Sequence, residues 1–132
     1  MLEAEPKRLQ AELRNMDQPP YRLNLSRREI VLDALLDRCQ QQAWKLLAAH
    51  VRTNHVHLVV EAETRPERIM NDLKSYASRR LNQEGTDEPA RKRWARHGST
   101  RWLWKPEDVS AAICYVVDEQ GEPMAVFETA EP

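Results

Sequence analysis

Two short apolar runs, Trp44–Val51 and His55–Ala62, are separated by the turn signal Thr53-Asn54, and they constrain this chain more than any other feature. Each is bounded by polar residues and rich in aliphatic side chains, so together they predict an antiparallel hairpin. Helical patterns flank that hairpin. Ser26 with Glu29 is a capping-box signature, and Ile30, Val31, Leu35 and Leu36 continue it to about Gln42. Thr64 with Glu67, and Pro66 in the first turn, open a second helix striped by Ile69, Met70, Leu73, Ala77 and Leu81 and ending near Asn82. A third begins at Pro106-Glu107-Asp108, is striped by Val109, Ala112, Ile113, Val116 and Val117, and stops at Gly121.

Tyr21–Leu25 alternates apolar and polar residues and predicts a short strand before the first helix. Residues 1–19 are expected to form a polar arm, frayed or helical, stopped by Pro19-Pro20. Residues 84–99 lack periodicity, contain Gly85, Pro89 and Gly98, and predict a basic loop. Arg101–Lys105 is a short extended piece, and Pro123–Phe127 an edge strand. The order strand–helix–strand–strand–helix predicts an α+β sandwich with helices on one face of an antiparallel sheet. At 132 residues, one domain over 1–132 is expected.

The net charge of −1 conceals an asymmetry. From Arg79 to Lys105 there are eight Lys/Arg against three Asp/Glu, and from Pro106 onward seven acids and no Lys or Arg. Screening confines each field to about 10 Å, so a local basic segment can hold phosphates although the whole chain is near neutral. No apolar run approaches the ~20 residues that span a bilayer, and the polar start is no signal peptide. Cys39 and Cys114 match no metal spacing and are expected to stay reduced in a cytoplasmic protein.

Chemistry enters with His55-Val56-His57. On a strand, residues two apart share a face and lie roughly 6.5–7 Å apart, close enough for two imidazoles to lean onto one metal ion. A surface or core histidine pair is the plainer alternative. On the third helix, Tyr115 falls to one side of the apolar stripe, with Glu119 one turn further along that side. Core-margin packing for Tyr115 and a solvated acid for Glu119 are the alternatives. Tyr76 is the competing tyrosine, but it lies on or beside the second helix's stripe, where packing suits it. Arg79, Arg80, Arg91, Lys92, Arg93 and Arg96 are candidates to face nucleic-acid phosphates. Trp94, Trp102 or Trp104 could stack on unpaired bases, which is worth about 1–3 kcal/mol per base; core packing is expected for one of the last two.

Four segments in this order, Thr53–Val60, Leu73–Asn82, Trp102-Leu103-Trp104 and Tyr115–Glu119, carry a resemblance across roughly residues 44–127. The chain resembles the single-tyrosine HUH transposases of the insertion sequence 200/605 class, particularly their REP-associated relatives. The resemblance implies a ferredoxin-like fold, a homodimer, and metal-dependent nicking and joining of single-stranded or hairpin DNA. It maps His55 and His57 onto the metal-binding pair, Tyr115 onto the nucleophile and Glu119 onto the third ligand, usually Gln or Asn. Mg²⁺ or Mn²⁺ suits two imidazoles plus an oxygen donor, with zinc the alternative.

Three departures from the family pattern stand out: the carboxylate at Glu119, the lack of an opening strand rich in Thr and aromatic residues, and Glu119–Pro123 in place of an asparagine-proline. They keep a second reading open, a non-catalytic DNA-binding descendant of the same fold; a third is a small metal-dependent hydrolase using His55 and His57 with a water nucleophile.

Overall fold

From Arg8 to Arg14 polar and apolar residues alternate without a break, and in the computed structural model Lys7–Arg14 is the first strand, β1. Residues 6–88, 91–96 and 98–130 are described; residues 1–5 of the expected arm, and 89, 90 and 97 of the expected loop, lie outside them. After β1 come α1 (Leu25–Gln41), β2 (Lys45–Val51), β3 (His55–Ala62), α2 (Pro66–Gln83), β4 (Ser99–Leu103), α3 (Pro106–Asp118) and β5 (Ala125–Glu128). The strands form one antiparallel sheet in the order β4-β1-β3-β2-β5. This is the expected α+β fold on an antiparallel sheet, but the helices, expected on one face, are divided between the two.

The arm reading is therefore corrected. Leu9, Ala11 and Leu13 are buried under the helices, and the strand pairs with β3 on one side and β4 on the other. Tyr21–Leu25, expected as the strand, is instead a buried connection: Tyr21 and Leu23 enter the core, and Leu25 is the first residue of α1. The Leu23 N–H is used by the Thr53 carbonyl at 2.6 Å, outside any ladder.

α1 and α2 cover one face. Their stripes, Val31, Ala34, Leu35 and Cys39 on α1 and Ile69, Met70, Leu73, Ala77 and Leu81 on α2, meet Leu9, Leu13, Val56, Leu58 and Val60 of the sheet. Arg38 ties the two helices together by a two-pronged contact to Asp72, Nε–Oδ1 at 2.7 Å and Nη2–Oδ2 at 3.0 Å. α3 lies on the opposite face, where Val109, Ala112, Ile113 and Val116 pack on Leu47, Ala48, Val59 and Leu103. A register shift between Leu46 and Ala48 turns Leu47 and Ala48 together toward α3. The odd-numbered face of β3, which carries His55 and His57, is thus the face that α3 only partly covers. No helix among the described residues is long and apolar enough to cross a membrane.

The caps differ from their sequence signatures. Asn24, not Ser26, caps α1, its Oδ1 accepting the Arg27 N–H at 2.9 Å. Thr64 does not cap α2; its hydroxyl accepts the Trp44 indole N–H at 3.0 Å. Asn24→Ala is expected to cost about 1 kcal/mol, against less than about 0.5 kcal/mol for Ser26→Ala. Urea denaturation of both variants checks the assignment.

Candidate active site

His55 and His57 project from β3 on one face with ring centroids 4.7 Å apart, edge to face. His55 Nδ1–H donates to Asn54 Oδ1 at 2.6 Å, which leaves Nε2 free as a lone-pair donor. His57 is 5% exposed. Burial pushes its pKa down to about 4, and neighbouring His55 adds to the shift, so the ring is neutral at pH 7. His55 is lowered by burial too, with the nearby Glu12 carboxylate opposing the shift.

Tyr115 comes to this pair from α3. Its ring centroid is 5.8 Å from that of His57, nearly perpendicular to it, and the residue is 44% exposed. His50 fixes the helix there. Buried on β2 opposite His57, it donates Nδ1–H to the Val116 carbonyl at 3.0 Å, while Nε2 accepts the Met124 N–H at 3.0 Å. One imidazole thus clamps the residue after Tyr115 and the approach to β5. Tyr115 and Glu119 then line an open cleft of about 660 Å³ with His57, Glu12, Ser99 and Arg101.

Tyr76 stands apart on α2, on the far side of the sheet. Its hydroxyl donates to Asp37 Oδ2 at 2.6 Å and accepts from Arg80 Nη2 at 3.2 Å, a bridge between helices.

Two neutral imidazoles on one strand face, with the Glu12 and Glu119 carboxylates lining the cleft beside His57, are a donor set that suits a divalent ion with oxygen-rich coordination. Among the described residues no three of His, Cys, Asp and Glu stand close enough to enclose an ion as they are placed. The chemistry of the donors fits, with His55 and His57 as the pair that would hold it.

The basic segment is not a free loop. Arg93, expected to face phosphates, is 2% exposed. Its guanidinium meets Asp87 Oδ2 at 3.1 Å, the Tyr21 hydroxyl at 3.2 Å and Asn82 Oδ1 at 2.8 Å. Trp94, half-buried, donates its indole N–H to Ser78 Oγ at 3.0 Å. Arg91 reaches the Pro20 carbonyl at 2.7 Å, and Arg80 is paired with Asp37 at 2.7 Å. Lys92, Arg96 and Arg79 are the exposed members of the set. Of the tryptophans, Trp104 is 70% exposed, whereas Trp102 packs against the α1–α2 core with Lys7 over its ring.

Sequence reasoning missed Glu12, Ser99 and Arg101. Glu12 faces His57 across the β1–β3 ladder, with Oε2 3.8 Å from Nδ1, and Ser99 pairs with Glu12 from β4. The alternation within Lys7–Arg14 was the available signal.

His57 makes the metal-free fold acid-sensitive. The unfolded chain binds the proton near pH 6.5 and the folded one only near 4, so between those values the unfolded state holds more protons and stability falls as pH drops. The loss is expected to be on the order of 2–3 kcal/mol between pH 7 and 4, and His57→Gln should flatten that part of the slope. Denaturant titrations across that range on the two metal-free proteins measure it.

The family described as Transposase IS200 like matches residues 20–105, a span that holds both histidines and ends before the helix of Tyr115. No curated protein matches the chain. Among solved structures, the REP-associated tyrosine transposase bound to a REP hairpin superposes with a TM-score of 0.67 at 9% identity, over 90% of this chain and 69% of that one. A candidate transposase from Deinococcus radiodurans R1 superposes with a TM-score of 0.57 at 16% identity, over 91% of this chain and 95% of that one. Identities this low speak for the fold alone. The family match covers more than half of the sequence, and the chain belongs to the IS200-like transposases.

Proposed function

We propose that this transposase nicks single-stranded DNA at hairpin-associated sites and passes the cut end to another strand, with Tyr115 as nucleophile and His55, His57 and Glu119 as ligands of Mg²⁺ or Mn²⁺. The observation that carries the reading is the 5.8 Å approach of the Tyr115 ring to His57 in an open cleft. A phenol packed away from the histidines, as Tyr76 is, would offer no such chemistry. The hairpin carried by the solved REP-associated relative supports a folded single strand as substrate. We take the working unit to be a homodimer, which brings two cut ends together.

A bound divalent ion would withdraw charge from a non-bridging oxygen of the scissile phosphate and stabilise the transition state. The chain supplies the remainder. The Tyr115 oxygen attacks phosphorus and gives up its proton; the bond from phosphorus to the 3′ oxygen breaks, and that oxygen takes up a proton and leaves as a free 3′-hydroxyl. A 5′-phosphotyrosine remains. One phosphodiester is exchanged for another, so a second 3′-hydroxyl can reverse the step as strand transfer, without ATP. In this reading Arg101 at the cleft, and the exposed Lys92, Arg96 and Arg79 outside it, would meet backbone phosphates, and Trp104 an unstacked base.

Incubation with Mn²⁺ and labelled hairpin DNA should give an adduct that survives denaturing electrophoresis and maps by mass spectrometry to Tyr115. Cleavage without attached protein would instead favour the hydrolase. Salt-sensitive binding with no cleavage in Mg²⁺ or Mn²⁺ would sink the proposal in favour of the DNA-binding descendant.

A further inference from the structure

Glu12 occupies the β1 position directly facing His57, and is held there from both sides, by His57 on β3 and Ser99 on β4. Gly98 fixes the second contact, since a Cβ there would run into the Glu12 carbonyl. The root of the carboxylate is therefore rigid. Its Oε2 stands 3.8 Å from His57 Nδ1. A hydrogen bond between such groups closes to about 2.7–3.2 Å, so this is not one. Ligands about 2.1 Å from an octahedral centre lie about 3.0 Å apart when adjacent and about 4.2 Å apart when opposite, so 3.8 Å lies between the two, and a modest side-chain adjustment would bring both atoms onto one small ion.

The other oxygen is already taken. Arg14 Nε meets Glu12 Oε1 at 2.8 Å, from a side chain that is 68% exposed. Arg14 lies two residues along the same face of β1 and pairs in register with His55. A guanidinium thus approaches the carboxylate from the solvent side, beside His55. Among the described residues it is the only Lys or Arg ion-paired with Glu12.

We propose that Glu12 is a ligand of the divalent ion at His55 and His57, and that Arg14 is an internal stand-in for that ion, holding the carboxylate until metal displaces it. The inference rests on the reading of the histidine pair as a metal site and adds a donor from the sheet to the one that α3 offers at Glu119. An exposed guanidinium–carboxylate pair is weak, so a divalent ion with two imidazoles beside it displaces Arg14 readily. Loading then frees a cation at the mouth of the cleft, where an incoming phosphate would meet it.

The test is a titration of Mn²⁺ into the full chain, with bound ion followed by calorimetry or electron paramagnetic resonance. Glu12→Gln is expected to weaken binding about tenfold or more, and Arg14→Gln to tighten it severalfold. Opposite shifts at two residues of one strand are not produced by a general loss of structure, which circular dichroism checks separately. Direct ligation is read from Glu12→Cys loaded with Co²⁺, which should gain a thiolate-to-metal absorption band that the parent chain, with Cys39 and Cys114, lacks. Arg14→Gln, at an exposed side chain, and the Co²⁺ band carry the test should Glu12→Gln not fold. Unchanged binding in Glu12→Gln, weakened binding in Arg14→Gln, or no band would each overturn Glu12 as a ligand while leaving the histidine site standing. A parent chain that takes up no Mn²⁺ would overturn the histidine site and this inference with it.

Discussion

Replacing Tyr115 with phenylalanine is expected to abolish the covalent protein–DNA adduct, with a loss of at least about 10³-fold in its rate of formation, and to leave the fold intact. The ring stays, so the packing of α3 against the sheet stays with it. The residue is 44% exposed, and the backbone next to it is held by His50 through the Val116 carbonyl rather than by the phenol. Only the hydroxyl proposed as nucleophile is removed. Stability should therefore move by less than about 0.5 kcal/mol, which separates a chemical defect from a folding one. Tyr76→Phe is the contrasting control. It removes the hydroxyl that joins Asp37 and Arg80 between α1 and α2, so adduct formation should persist while the helix layer loosens. Adduct formation that survives Tyr115→Phe and fails in Tyr76→Phe would reverse the assignment.

The second large effect is structural. Asp87→Ala is expected to destabilise the protein by about 3–5 kcal/mol, because it strands buried positive charge. Asp87 meets Arg27 Nη2 at 2.8 Å and Arg93 Nε at 3.1 Å, and accepts the Tyr21 hydroxyl at 2.7 Å. The Arg93 side chain is 1% exposed and cannot swing out to water without unpacking its neighbours. Burial works to raise the Asp87 carboxyl, but the Tyr21 hydroxyl and the two arginines outweigh it and hold the group below the usual carboxylate range. A carboxyl lowered in the folded state contributes stability above its unfolded pKa of about 4 and loses it as pH falls further, so the full deficit of the variant shows at neutral pH. Arg96→Ala, at an exposed position of the same segment, should shift the denaturation midpoint little. Equal effects of the two substitutions would contradict the network.

The elements with strong apolar periodicity were legible in the sequence. The hairpin of β2 and β3, the α2 stripe from Ile69 to Leu81 and the α3 stripe from Val109 to Val116 stand where residue spacing places them. β1 was not legible, because Leu, Gln, Ala, Glu and Arg are strong helix formers and only their alternation signals a strand. Losing β1 also hid Glu12, whose meaning depends on facing His57 across a ladder. The basic segment misled for a different reason. Charge counted along the chain does not reveal that Asp87, Tyr21 and Asn82 converge on Arg93 from three separate places. Nor does the order of elements say which side of a sheet a third helix takes; the turn of Leu47 and Ala48 toward α3 decides that. The spacing of Tyr115 and Glu119 gave their shared helix side, and the packing of α3 brings that side to the cleft.

The imidazole clamp on the Val116 carbonyl has a wider consequence. It seats the phenol beside the histidine pair of its own polypeptide, so, on the proposed assignment, a single molecule would bring its own nucleophile to the first cut. Dilution should then leave cutting per molecule undiminished, and slow only the later meeting of two severed strands.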